Sequence, residues 1–271
     1  MQLETGYRFC MAPRFANGLA WNERLQVDDG MTRAEPGLPP ERSWHPASES
    51  ERSVLVASET SADAWRKDVC LFAIPEHLRA KWWEMAARQV EKLPAGLDGM
   101  EPFARAIADF AQFKGVPLPP QCAFEVTLTS PADPPGSTSA GAIEATTAGD
   151  VLQRSRRAGA VAPSAPVIAR VNLGDERTAL IFLNLRGSRI TEMVNDQRES
   201  RKAAIATEEG DPVCSFLAHF PDYPLVRLFL DPGEGVWLPD ADVIYADDRS
   251  GKQDIDVWLV LKDEGGRRKD E

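Results

Sequence analysis

A chain of 271 residues with a formal net charge of −11 is long enough to bury a sizeable core. It is too acidic for partners held by clustered lysine and arginine, which sets aside nucleic acid and anionic membrane surfaces. Hydrophobic residues at 43% and charged residues at 27% describe an ordinary globular composition, while 21 prolines and 19 glycines predict much loop.

Residues 1–60 show no sustained periodicity, and Pro36, Pro39, Pro40 and Pro46 forbid a helix through their middle. They read as an irregular N-terminal arm, which Trp21 and Trp44 pin to the body by burying their rings. Glu4 and Arg8 interrupt the segment where a signal peptide would be apolar, and no stretch approaches the roughly 20 apolar residues of a membrane span. A cytoplasmic protein is expected, and Cys10, Cys70, Cys122 and Cys214, spread singly along the chain, read as reduced core residues.

Over residues 61–118 the period becomes helical. Leu78, Trp82, Met85, Ala86 and Val90 share a stripe after Pro75, and Phe103, Ile107, Phe110 and Ala111 share another after Pro102. Two amphipathic helices packed on the body are predicted. Adjacent Trp82 and Trp83 lie about 100° apart around a helix, and core packing is the plain reading for both.

A β-domain then spans 119–264. Phe124, Val126 and Leu128 alternate with Glu125, Thr127 and Thr129 in a strand, after which Ser130 to Pro166 carries no aromatic residue and predicts a flexible insertion at 130–166, a lid or disorder. Val167 to Leu185 reads as two strands joined at Gly174–Arg177 in a hairpin. Ile190 to Ala206 is compatible with a strand end followed by an exposed helix. From Val226 to Leu261 short apolar alternations are cut by Asp-Pro-Gly, Pro-Asp and Ser-Gly turns, which predicts stacked strands with Val226, Leu228, Leu230, Val257, Leu259 and Leu261 buried. Residues 265–271 form a polar tail.

Within that stretch Gly233 to Ile244 resembles the second motif of the cupins: glycine, five residues, proline, one residue, glycine, two residues, histidine. Gly233 and Pro239 match the glycine and the proline; Ala241 stands at the second glycine, Ile244 at the metal-binding histidine and Asp248 where an asparagine often follows. The resemblance implies an α+β fold: a double-stranded β-helix, the cupin or jelly-roll-like barrel, with an N-terminal helical region. It also implies that the metal ligands have been replaced, and the His-x-Asp and distal His of iron and 2-oxoglutarate oxygenases are likewise missing. No cofactor is expected.

Catalytic signatures are missing too. The three histidines, His45, His77 and His219, fall in separate segments, and no serine occupies a Gly-x-Ser-x-Gly elbow. The acidic run Asp240, Asp242, Asp247, Asp248, Asp254 and Asp256 reads as solvated turns and charged strand edges, with a hard cation as the alternative. The ligand-binding residues expected are Asn184 and Arg186, on the strand face of Leu180 and Phe182 where it turns polar, with Trp237 and Tyr245 as an aromatic wall. Arg186 suits an anion because its planar fork donates two parallel hydrogen bonds. A binding or accessory protein for a small anionic metabolite or a protein partner is the leading expectation, an enzyme on the same barrel is the alternative, and an exposed sheet face or the helix pair offers a homodimer surface.

Overall fold

The computed structural model describes residues 2–11, 21–31, 42–57, 67–89, 103, 106, 122–129, 167–200, 212–239, 243–248 and 256–263. The insertion expected at 130–166 and the tail at 265–271 lie outside them, as does most of the second helix expected after Pro102. The strands are β1 (Phe9–Met11), β2 (Leu25–Met31), β3 (Arg42–Pro46), β4 (Val69–Ala73), β5 (Cys122–Thr129), β6 (Val167–Asn172), β7 (Thr178–Leu183), β8 (Val226–Leu230), β9 (Glu234–Trp237), β10 (Ile244–Asp248) and β11 (Asp256–Asp263). The helices are α1 (Glu49–Leu55), α2 (Glu76–Gln89), α3 (Gly187–Ser200) and α4 (Pro212–His219). The fold is α+β, and no described helix is long and apolar enough to cross a membrane.

Two sheets carry it, six-stranded in the order β1-β4-β9-β6-β11-β5 and five-stranded in the order β10-β7-β8-β2-β3. All neighbouring pairs run antiparallel except β1 with β4. Val236, Trp258 and Val260 of the first sheet pack with Leu180, Phe182 and Leu228 of the second in one apolar core, so the sheets lie face to face. The outer face of the first sheet buries Val171, Leu259 and Leu261 under Leu78 and Trp82 of α2. On the second, Ile181, Ile244 and Ala246 lie under Ile190 and Met193 of α3 and Phe216 of α4. The order of layers is helix, sheet, sheet, helices.

That layering explains where the alternation rule succeeded and where it misled. Val226, Leu228 and Leu230 point between the sheets as expected. On β11, however, Leu259 and Leu261 face α2, and the inward residues are Trp258 and Val260. With α2 over the outer face, both phases of β11 from Val257 to Leu261 are apolar, and period two gives no in and out. The hairpin expected over Val167–Leu185 is likewise corrected. Both strands form, but β6 pairs with β9 and β11 in one sheet while β7 pairs with β8 and β10 in the other, so the turn at Gly174 crosses between layers.

The N-terminal readings change most. Residues 1–60, expected to be irregular, supply β1, β2, β3 and α1. β2 is a central strand between β8 and β3, with a register shift between Asp28 and Met31. β1 has only three residues, and the register shift in β2 interrupts its alternation, so neither shows a sustained period. Of the helical region expected over 61–118, α2 forms after Pro75 as expected, but it is preceded by β4, a strand of the larger sheet, so the described part is not helical throughout. Trp82 is buried and donates Nε1–H to the Leu173 carbonyl at 3.0 Å, whereas Trp83 is exposed. Cys10 and Cys70, 60 residues apart, are direct partners in the β1–β4 register and are joined by a disulfide with a Cα–Cα distance of 4.7 Å, a pairing that sequence spacing conceals. The β8–β9 turn needs Gly233 at φ 83°, a left-handed conformation that a side chain disfavours.

Candidate functional site between the sheets

Three buried polar clusters occupy the sandwich, and they differ in how completely their hydrogen-bonding capacity is filled. At the β8–β9 turn Arg24, leading into β2, bonds Glu234 of β9 through Nη1 and Asp231 Oδ2 through Nη2 at 2.9 Å. The Asp231 N–H donates to Glu234 Oε2 at 2.8 Å, and Asn172 beside them donates to the carbonyls of Glu176 and Leu230 while accepting from the Gly174 N–H. Burial raises the Glu234 pKa, against the pull of the Asp231 N–H and of Arg24. On the outer face of the smaller sheet Arg227 stacks on Trp44, its guanidinium carbon 4.0 Å from the ring centroid, with Nε 2.6 Å from Asp248 Oδ2. That Nε lacks hydrogen-bond alignment but has its counterion.

The third cluster lies between the sheets toward β10 and β11. Inward phases put Arg170 of β6 and Trp258 of β11 opposite Tyr245 and Asp247 of β10. Arg170 donates through Nη1 to Asp247 Oδ1 at 2.6 Å, and its guanidinium carbon lies 4.1 Å from the Trp258 centroid and 5.7 Å from that of Tyr245. Their side chains are 9% and 14% exposed, so the pair is desolvated. Burial works against the arginine's charge, but Asp247, Tyr245 and Asp256 more than offset it and raise its pKa; burial also pushes the Tyr245 phenol up. β9 closes on β6 here because position 235 is glycine: a Cβ there would stand 2.6 Å from the Arg170 carbonyl oxygen.

Two donors in this cluster have no acceptor among the described residues: Arg170 Nε and Trp258 Nε1, both fully buried. An unfilled buried donor costs roughly 1–3 kcal/mol. Here two of them sit on side chains in face contact, and both call for an acceptor.

The residues expected to form the site do not assemble. Asn184 is buried, with Nδ2 donating to the Glu4 carbonyl at 3.2 Å and Oδ1 left without a partner among the described residues. Arg186 is exposed and lies 4.9 Å over the Tyr7 ring. Both therefore engage the N-terminal segment, which Arg189 also holds through a two-pronged contact with the Glu4 carboxylate at 2.8 and 3.1 Å. Trp237 faces α2 rather than the interior. Tyr245 alone stands in the Arg170 cluster. Reading the acidic run as solvated turns fails for Asp247 and Asp248, which pair with Arg170 and Arg227; Asp240, Asp242 and Asp254 lie outside the described residues.

Arg170 and Trp258 escaped sequence reasoning, and Asp247 was read only as part of the acidic run. The available signal was a single arginine inside the apolar run Val-Ile-Ala-Arg-Val-Asn, where a charge costs too much to keep without a partner. His45 is in β3, His77 in α2 and His219 at the end of α4, and among the described residues no three His, Cys, Asp or Glu side chains converge as a metal site would require. Compared with known proteins, the chain matches no family model, no curated protein and no solved structure.

Proposed function

We propose that the chain is a small-molecule-binding or accessory protein built on a cupin-like, jelly-roll barrel, with its ligand held between the sheets at Arg170, Trp258 and Tyr245. The observation that carries the binding role is the pair of buried, unfilled donors on two side chains stacked against each other. Strand order supports the frame. A jelly roll is an antiparallel ribbon wrapped so that successive strand pairs fall in alternate sheets. Outward from its tip, the pairs here are β7–β8 in the smaller sheet, β6–β9 in the larger, then β10 in the smaller and β5–β11 in the larger. Ile244, at the cupin histidine position, is on the helix-covered face of β10, and the inward positions are Tyr245 and Asp247.

A thermal-shift screen of small carboxylates and amides tests the reading. Compounds that raise the melting temperature of the wild type are expected to lose their effect on a folded Arg170→Met variant, and an undiminished shift in that variant would remove the site. Stoichiometric iron, manganese or nickel in protein purified without added metal would replace the binding role with an enzymatic one.

A further inference from the structure

The charges around Arg170 say which kind of acceptor fits. Its guanidinium already has a counterion at 2.6 Å in Asp247, and Asp256 adds negative potential beside it. The other arginines described in the sandwich have carboxylates of their own: Arg24 with Glu234, Arg177 with Asp231, Arg227 with Asp248. A carboxylate ligand would bring one more negative charge into a desolvated space next to Asp247, where no second cation is described beside the guanidinium. The unfilled groups are both N–H donors, and what they lack is an acceptor. A neutral carbonyl compound fits both conditions: its oxygen offers acceptor lone pairs to the unfilled donors, and it adds no charge.

Resting on the binding role argued above, we infer that this site selects a small neutral carbonyl compound, such as an amide, lactam or urea, over the carboxylate of the same shape. Asp247 is the residue that sets the preference, because it has already used the arginine's charge. The proposal thereby departs from the anionic ligand that Arg186 suggested, since Arg186 sits on the surface over Tyr7 while the arginine between the sheets is neutralised.

The test uses two isosteric pairs, acetamide with acetate and benzamide with benzoate, titrated at pH 7 by calorimetry against the full chain and the Asp247→Asn variant. For at least one pair the amide is expected to bind the wild type ten-fold or more tightly than its carboxylate, and the order is expected to reverse in Asp247→Asn, where the guanidinium lacks its counterion. If Asp247→Asn does not fold, Trp258→Phe serves instead: it keeps the ring, removes one donor and is expected to weaken amide binding about ten-fold. A carboxylate that binds the wild type as well as its amide would overturn the selectivity and leave the binding role standing. Failure of all four probes to bind the wild type would overturn both, leaving the donors to an ordered water.

Discussion

Arg24 and Arg170 are both arginines buried between the sheets, and each is paired across the interior with a carboxylate on the opposite sheet, Glu234 and Asp247. At Arg24 the surroundings close: Asp231 takes a second guanidinium nitrogen, the Asp231 N–H fills Glu234, and Asn172 uses its amide in both directions. At Arg170 they do not, and a guanidinium nitrogen and an indole nitrogen are left without acceptors. Filled networks rigidify a core, whereas unfilled ones cost stability and persist for another reason. The contrast teaches that two ion pairs alike in burial can differ in how far the hydrogen-bonding capacity around them is filled.

The largest disruption should come from the apolar wall both clusters share. Leu228→Asp would bury an unpaired charge in the core between the sheets and is expected to cost more than about 4 kcal/mol, seen as loss of folded soluble protein. Next, Arg24→Met strands the Glu234 carboxylate in a filled network and should cost about 3–5 kcal/mol by denaturant titration. Arg170→Met strands Asp247 in the same way and should cost about as much, so the two ion pairs are alike and the contrast lies in the unfilled donors.

Paired tryptophan substitutions sharpen the comparison further. Trp82→Phe deletes a donor that the Leu173 carbonyl uses and is expected to cost about 1–2 kcal/mol, while Trp258→Phe deletes a donor with no partner and should cost less than about 1 kcal/mol in the absence of ligand. Equal costs would mean that Trp258 Nε1 has an acceptor after all.

The smallest effect concerns pH. Glu234 has its folded-state pKa raised, chiefly by burial, so its contribution to stability is fully present below the unfolded value near 4.5 and is lost as pH rises through the folded value. Unfolding free energy measured from pH 4 upward should therefore lose a descending component in Glu234→Gln. An unchanged profile would dissociate Glu234 from that slope.

Much of the β-structure was legible in the residues. The alternation in β8, the strand identities of β6 and β7, the Gly233 turn and the placing of Tyr245 near the interior all follow from period two and turn chemistry. The N-terminal strands were not legible: β1 is three residues long, β2 is broken by a register shift, and both draw their stability from partners far along the chain, β4 and β8. Of the site, Tyr245 was readable and Arg170 was not. Asn184 and Arg186 looked like a cavity mouth, but the N-terminal segment, invisible to strand periodicity, occupies them.

By itself the sequence determined that this chain is an acidic, β-rich α+β protein, which residues lie in its C-terminal strands, and where its sharp turns fall, since propensity, alternation and glycine conformation act over a few neighbouring residues. Only the tertiary structure decided which sheet each strand joins, that helices cover both outer faces, that Cys10 meets Cys70, and that Arg170 faces Asp247 and Trp258. Those outcomes depend on contacts tens to hundreds of residues apart in sequence. A charged residue in an apolar run announces only that some partner must exist; which groups remain unfilled once the partner arrives is a property of the packed sheets.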